Sequence, residues 1–352
     1  MSRQRVAPPE YAWVLGLLIM LGMLACGVHV ASFLASPSGK DGGPAATFEI
    51  AHDESLTHVA SRLASDGLIR NQTYFVIFGR LTGSERQLKP GEYALSPSMR
   101  PLEILDRFRR GLVVLHPVTI PEGYSVRQIA EVFREARIGD PEELISLSES
   151  PAFIRELGLD VPTLEGYLFP DTYAFPRHIT TADIVRQMVR RFQETYQSVW
   201  AARADGLGLT QHQVVTLASI IEKETGAGIE RPIISAVFHN RLRMRMPLQS
   251  DPTVIYPIKD FDGNLRKVDL IRDNPYNTYR RRGLPPGPIA SPGRAALEAA
   301  LYPSPVDYLY FVARNDGTHH FSRTLREHNK AVDQYQRRGQ RPRTKVASSR
   351  GA

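Results

Sequence analysis

The chain has 352 residues, 42% apolar and 23% charged, an ordinary globular composition with room for two modest domains and appendages. Its formal net charge of +7 favours an acidic partner. No helix-turn-helix, zinc-finger or RNA-binding aromatic signature accompanies that charge, so nucleic acid is not the expected partner. The single cysteine, Cys26, excludes an intrachain disulfide and a cysteine zinc cluster.

Residues 1–10 are a short polar segment with Arg3 and Arg5. Residues 11–35 are apolar enough, and long enough, to cross a bilayer as a helix. Apolar sequence runs past Cys26 through Val28, Val30, Phe33 and Leu34, which favours a retained anchor over a cleaved signal. The arginines before it predict the N-terminus inside and the bulk outside. Residues 36–46 are rich in Gly, Pro and Ser and read as a linker.

Residues 47–111 form a small unit. A strand at Phe48–Ile50 precedes helices at Ser55–Ala64, Asn71–Arg80 and Ser98–Arg110, with a turn into a strand at Lys89–Tyr93. FEIAHDESLTHVASRLASDGLI resembles the LysM fold, a small peptidoglycan-binding module. Asp53 stands where that fold has a turn glycine, and aspartate tolerates the left-handed backbone. A spacer holding the next domain off the membrane is the alternative.

Residues 112–336 form the larger unit. A strand is expected at Leu112–Ile120, then helices through Val126–Phe133, Glu142–Leu147 and Phe153–Leu157. LEGYLFPDTYAFP, residues 164–176, reads as an ordered loop or short strands at a groove. Thr180 caps a helix expected to reach Trp200. Gly208 to Gly226 is the central stretch. Thr210 and Gln213 fit a capping box, and Val214, Val215, Leu217, Ala218, Ile220 and Ile221 form a wide apolar stripe. Lys223, Ser219 and Thr216 fall on its polar side. Glu222 and Glu224 end the run. A carboxyl crowded against apolar surface holds its proton toward neutral pH, as a general acid must. Glutamates at a helix end are also commonly solvated or ion-paired, and the helical wheel does not choose between the two acids.

A helix at Arg231–Arg245 follows, then LQSDPTVIY, DNPYNTY and GLPPGPIASPG. Asp251 before Pro252 suits a turn as well as a second acid. A helix at Ala295–Tyr302, a hairpin of Tyr308–Ala313 with His319–Ser322, and a helix at Arg323–Gln336 complete the unit. Residues 337–352 are a basic, Ser-rich tail expected to be disordered. His319 and His320 point to opposite strand faces, a poor metal spacing. Strands and helices do not alternate regularly, so the fold class is α+β.

EGYLFPDTY, LASIIEKET, LQSDPTVIY, YNTY, GLPPGPI and YFVARNDGTHHFS, in that order, resemble the MltG (YceG-like) family of endolytic murein transglycosylases. The match runs from the anchor to about Gln336. The resemblance implies Glu222 as the catalytic acid, with Glu224 supporting, and Gln249, Asp251, Asn277 and Tyr279 lining a substrate groove. It implies peptidoglycan as substrate, cut after N-acetylmuramic acid to leave 1,6-anhydro ends. It implies no metal or organic cofactor, an inner-membrane location with the catalytic unit outside, and work beside glycan-polymerising synthases of the penicillin-binding type. A lysozyme-like hydrolase and a non-catalytic peptidoglycan-binding scaffold are the alternatives. On this expectation Glu222→Gln abolishes cleavage and Glu224→Gln keeps most of it.

Overall fold

The structure, a computed structural model, describes residues 12–39, 44–196 and 198–337. The basic tail beyond 337 and the polar start lie outside them. Contacts divide the chain into two units, one running to His116 and including Ala174–His178, the other comprising Pro117–Tyr173 and the chain from Ile179 onward.

In the first unit, α1 (Ala12–Ala35) is, among the described residues, the helix long and apolar enough to cross a membrane. Its last turns are held by protein. Leu34 is buried, and Phe33 and His29 meet the Tyr74 ring edge-on. The first linker residues are held too. Ser38 Oγ donates to Leu68 O at 2.9 Å, and Gly39 N to Pro97 O at 2.9 Å. Next come β1 (Ala46–Ile50), α2 (Leu56–Ser65), α3 (Gln72–Leu81), β2 (Gly91–Leu95) and α4 (Pro101–Arg110). β1 and β2 pair antiparallel, with Phe48 opposite Tyr93. Alternation along β1 turns Phe48 and Ile50 inward, onto Leu56, Val59 and Leu63 of α2 and Phe108 of α4. Ser55 and Asn71 cap α2 and α3 through their side chains. Asp53 takes the expected left-handed backbone, φ 63°. α4 begins at Pro101, three residues later than its periodicity suggests, because proline suits the first helical position.

β3 (His116–Thr119) is shorter than the Val- and Leu-rich run around it. The second unit then contains α5 (Val126–Ala136), α6 (Pro141–Ser148) and α7 (Pro151–Glu156), and β4 (Thr172–Phe175) follows. The long helix expected from Thr180 to Trp200 is two helices, α8 (Thr181–Thr195) and α9 (Ser198–Gly206). Tyr196 leaves helical backbone, with ψ 83°, and packs its ring against Phe192 and Trp200. Burying that ring outweighs continuing the helix.

α10 (Gln211–Glu224) is the centre of this unit. α14 (Arg294–Leu301), α11 (Arg231–Arg243), α12 (Asp251–Ile255) and α9 pack on it. The stripe residues are all buried, as expected, but so are Thr216 and Ser219. Their hydroxyls need partners there. Thr216 donates to His212 O at 2.7 Å, Ser219 to Thr216 O at 2.7 Å, and Ser219 accepts from Ile289 N. The helix is thus enclosed from Val214 to Ile221 and open only at its two ends. A short α13 (Lys267–Ile271), between α12 and α14, was not legible in an Asp-rich stretch. β5 (Tyr310–Ala313) and β6 (His319–Ser322) form the expected hairpin, with Ala313 opposite His319. α15 (Leu325–Val332) ends the described chain and runs into a wider turn at Asp333–Arg337.

Candidate active site

Two residues along an α-helix are about 200° apart, so Glu222 and Glu224 leave α10 in nearly opposite directions. Their surroundings differ accordingly. Thr225 ends the helix in extended backbone and returns its hydroxyl to Ile221 O at 2.6 Å.

Glu222 is tethered through both oxygens. Oε1 accepts from the Arg231 guanidinium at 3.0 Å, and Oε2 from the Gly293 N–H at 3.1 Å. Its side chain is 7% exposed. Gly293 opens α14, so this carboxylate joins the end of α10 to the starts of α11 and α14. Arg231 also lies 3.5 Å from Glu122. Burial raises the Glu122 pKa, the Glu222 charge raises it further, and Arg231 works against both. Between the two acids, Lys223 donates to Gly123 O at 3.2 Å.

Glu224 faces a different set of groups. Ser250 Oγ donates to its Oε1 at 2.6 Å. Crowding by protein atoms raises the carboxyl pKa to about 7; Ser250 opposes this, Asp251 adds to it, and His319 and Arg241 pull it back. The residue still keeps part of its surface open. A carboxyl that holds its proton near neutrality can donate that proton to a ligand that reaches it.

The SDPT and NTY motifs are stitched together around this acid. Gln249 N donates to Thr278 O at 3.2 Å, Ser250 N to Thr278 Oγ1 at 3.0 Å, and Tyr279 OH to Asp251 Oδ1 at 2.5 Å. Of the groove residues the resemblance implied, Asp251 is exposed and Tyr279 is half-buried, and both stand near Glu224. Gln249 is exposed in left-handed backbone, φ 52°, with its Oε1 3.4 Å from Arg241. Asn277 has another part. It is 2% exposed, its amide reaches Leu270 O at 3.0 Å and Arg272 O at 2.8 Å, and its Oδ1 accepts from Tyr279 N. Its side chain clamps the loop that carries Tyr279 and has no face left for a sugar.

Several polar residues of this region carried no separable sequence signal. Arg241, on α11, is 7% exposed. It donates to Leu309 O at 2.7 Å and Leu248 O at 2.8 Å, which fixes the turn before Ser250. Glu230 holds His319, accepting from its backbone N–H at 3.0 Å and lying 2.7 Å from Nδ1. Those contacts join residues 89 positions apart, beyond any local pattern. Glu165, from the EGY motif, accepts from Val126 N–H at 3.1 Å and from Tyr256 OH at 3.0 Å. Burial lifts its pKa to about 7, against the pull of those donors. It borders a cavity of about 750 Å³ that also meets Gly123, Lys223, Pro252 and Tyr256. The opposite wall of that motif is fixed by Gly166, φ 84°, where a Cβ would come within 2.5 Å of Pro288 in GLPPGPI.

The profile of the YceG-like family matches residues 48–334. The chain is 33% identical over 321 residues to a protein of Bacillus subtilis (strain 168) named endolytic murein transglycosylase, covering 86% of this chain and 88% of that one. It is 28% identical over 362 residues to a protein of the same name from Streptococcus pneumoniae (strain ATCC BAA-255 / R6), covering 92% of this chain but 65% of the relative. A crystal structure of a YceG-like protein from Listeria monocytogenes superposes with a TM-score of 0.57 at 33% identity, over 81% of this chain and 98% of that one.

Proposed function

Because the chain belongs to the YceG-like family, we propose that it is a peptidoglycan lytic transglycosylase that cuts glycan strands internally. The observation that carries the chemistry is the half-buried Glu224, its carboxyl held by Ser250 and its pKa raised to about 7. We assign the acid to Glu224 rather than Glu222, because both oxygens of Glu222 are spent on Arg231 and Gly293.

Glu224 gives its proton to the glycosidic oxygen after N-acetylmuramic acid, and the C1–O bond breaks through an oxocarbenium-like state. The carboxylate then takes the proton of that sugar's C6 hydroxyl as its oxygen bonds to C1. The products are a 1,6-anhydro end and a free hydroxyl on the departing sugar, with no water consumed. One carboxyl acts as acid and then base, so no metal or organic cofactor has a step to perform. The attack is intramolecular, and positioning supplies much of its rate. Asp251, exposed and held by Tyr279, contributes negative charge near the cationic carbon. Gln249 borders the same groove.

A hydrolase reading is favoured by that same Asp251, which could activate a water instead. Digestion of purified sacculi, with mass spectrometry of the chain ends, separates the two: anhydro ends support the transglycosylase, and reducing ends overturn it.

The finer setting follows from the sequence. α1 suits a single-pass inner-membrane anchor, and Arg3 and Arg5 before it favour the catalytic unit outside. The β1–α2–α3–β2 order with antiparallel strands supports a LysM-like reading of the first unit, and hence glycan binding there. Cutting nascent strands beside membrane synthases of the penicillin-binding type is consistent with such an anchor.

A further inference from the structure

The cavity next to the end of α10 has a charge that proton donation by Glu224 does not require. Arg127, Lys223 and Lys259 all reach its wall, and all three are exposed. None of them is ion-paired among the described residues; Lys223 donates only to the Gly123 carbonyl. The one carboxyl in the wall, Glu165, is buried and engaged by Val126 and Tyr256, and it keeps its proton up to about pH 7. One carboxyl against three cations leaves the wall net positive. Unpaired cations around a concave space concentrate anions there, and guanidinium and ammonium groups bind carboxylates through charge-assisted hydrogen bonds.

The cavity adjoins the acid through the chain itself. Lys223 sits between Glu222 and Glu224, and Pro252 follows Asp251. Neutral sugar hydroxyls offer such cations no counter-charge. The peptide branches of the strand do carry carboxylates, with aliphatic stems that suit the Tyr256 and Phe261 faces on the same wall. We propose that this cavity is a subsite for a carboxylate of the peptide branch beside the scissile bond, with Arg127 and Lys259 as its principal ligands. The inference rests on the glycan-cleaving reading above and adds a substrate preference to it.

The test uses the full chain in detergent and two sets of glycan strands, one bearing peptide branches and one stripped of them by an amidase, with the lactyl carboxylates that stripping exposes then converted to amides. The wild-type protein is expected to cut branched strands with the higher kcat/KM. An Arg127→Ala/Lys259→Ala double variant is expected to lose about tenfold on branched strands through KM, equivalent to about 1.4 kcal/mol, so that the ratio between substrates moves toward one. A wild type indifferent to branches, or a double variant that keeps the preference, overturns the subsite. If the wild type cuts neither substrate, the glycan-cleaving reading fails instead. The subsite is then decided by titrating acetylated branch peptide alone: saturable binding weakened in the double variant supports it, and equal binding or none overturns it.

Discussion

Ser250 donates its hydroxyl proton to Glu224 Oε1 at 2.6 Å, linking the last residue of α10 to the turn that opens α12. That bond aims the acid at the loop carrying Asp251 and, through Thr278, Tyr279. It also opposes the desolvation that raises the Glu224 pKa. Ser250→Ala should therefore push that pKa higher and move the alkaline limb of the pH–rate profile upward. The rate itself should fall by up to about tenfold, the cost of one hydrogen bond to an ionisable group. A profile identical to wild type would detach Ser250 from the acid.

The two acids make opposite forecasts. Glu224→Gln should abolish cleavage while leaving thermal unfolding below about pH 4.5 nearly unchanged, since the amide still accepts from Ser250. Glu222→Gln should retain measurable cleavage but lose roughly 1–3 kcal/mol of stability, because Arg231 is left without its closest counter-charge. Product analysis and urea unfolding on both variants decide it. Full activity in Glu224→Gln would return the role to Glu222.

Stability should depend on pH in a definite direction. Glu224 and Glu165 have folded pKa values near 7, raised from 4.5. Between those values the folded chain keeps protons that the unfolded chain has released, so stability is fully present below about 4.5 and declines as pH rises toward 7. Melting temperatures across that window should fall for wild type and fall less for Glu224→Gln. Cleavage, which needs the proton on Glu224, should decline above about pH 7.

Asn277→Ala should behave as a structural lesion. It strips the amide from the carbonyls of Leu270 and Arg272, at an expected cost of about 1–3 kcal/mol. Faster amide hydrogen exchange over residues 267–281 would accompany it. A variant of wild-type stability with weakened substrate binding alone would restore Asn277 to the groove.

Gly166→Ala tests the contact between the EGY and GLPPGPI motifs. A methyl group there meets Pro288 at 2.5 Å in left-handed backbone. The two penalties together should cost about 2–4 kcal/mol. A fully stable variant would mean that the loop is not tightly packed against Pro288.

Much of the architecture was legible locally. Caps at Thr180 and Thr210, the stripe of α10 and the Asn315–Gly317 turn are short-range features, and the corresponding elements formed. Where prediction missed, tertiary packing competed with local preference, as when the buried Tyr196 ring divided one helix into two. The sequence by itself determined that two carboxyls stand at the foot of a buried helix within an ordered set of motifs. What surrounds each carboxyl was decided only by the fold. Two positions on one helix point apart, and their partners, Arg231 and Gly293 for one and Ser250 for the other, come from segments up to 71 residues away.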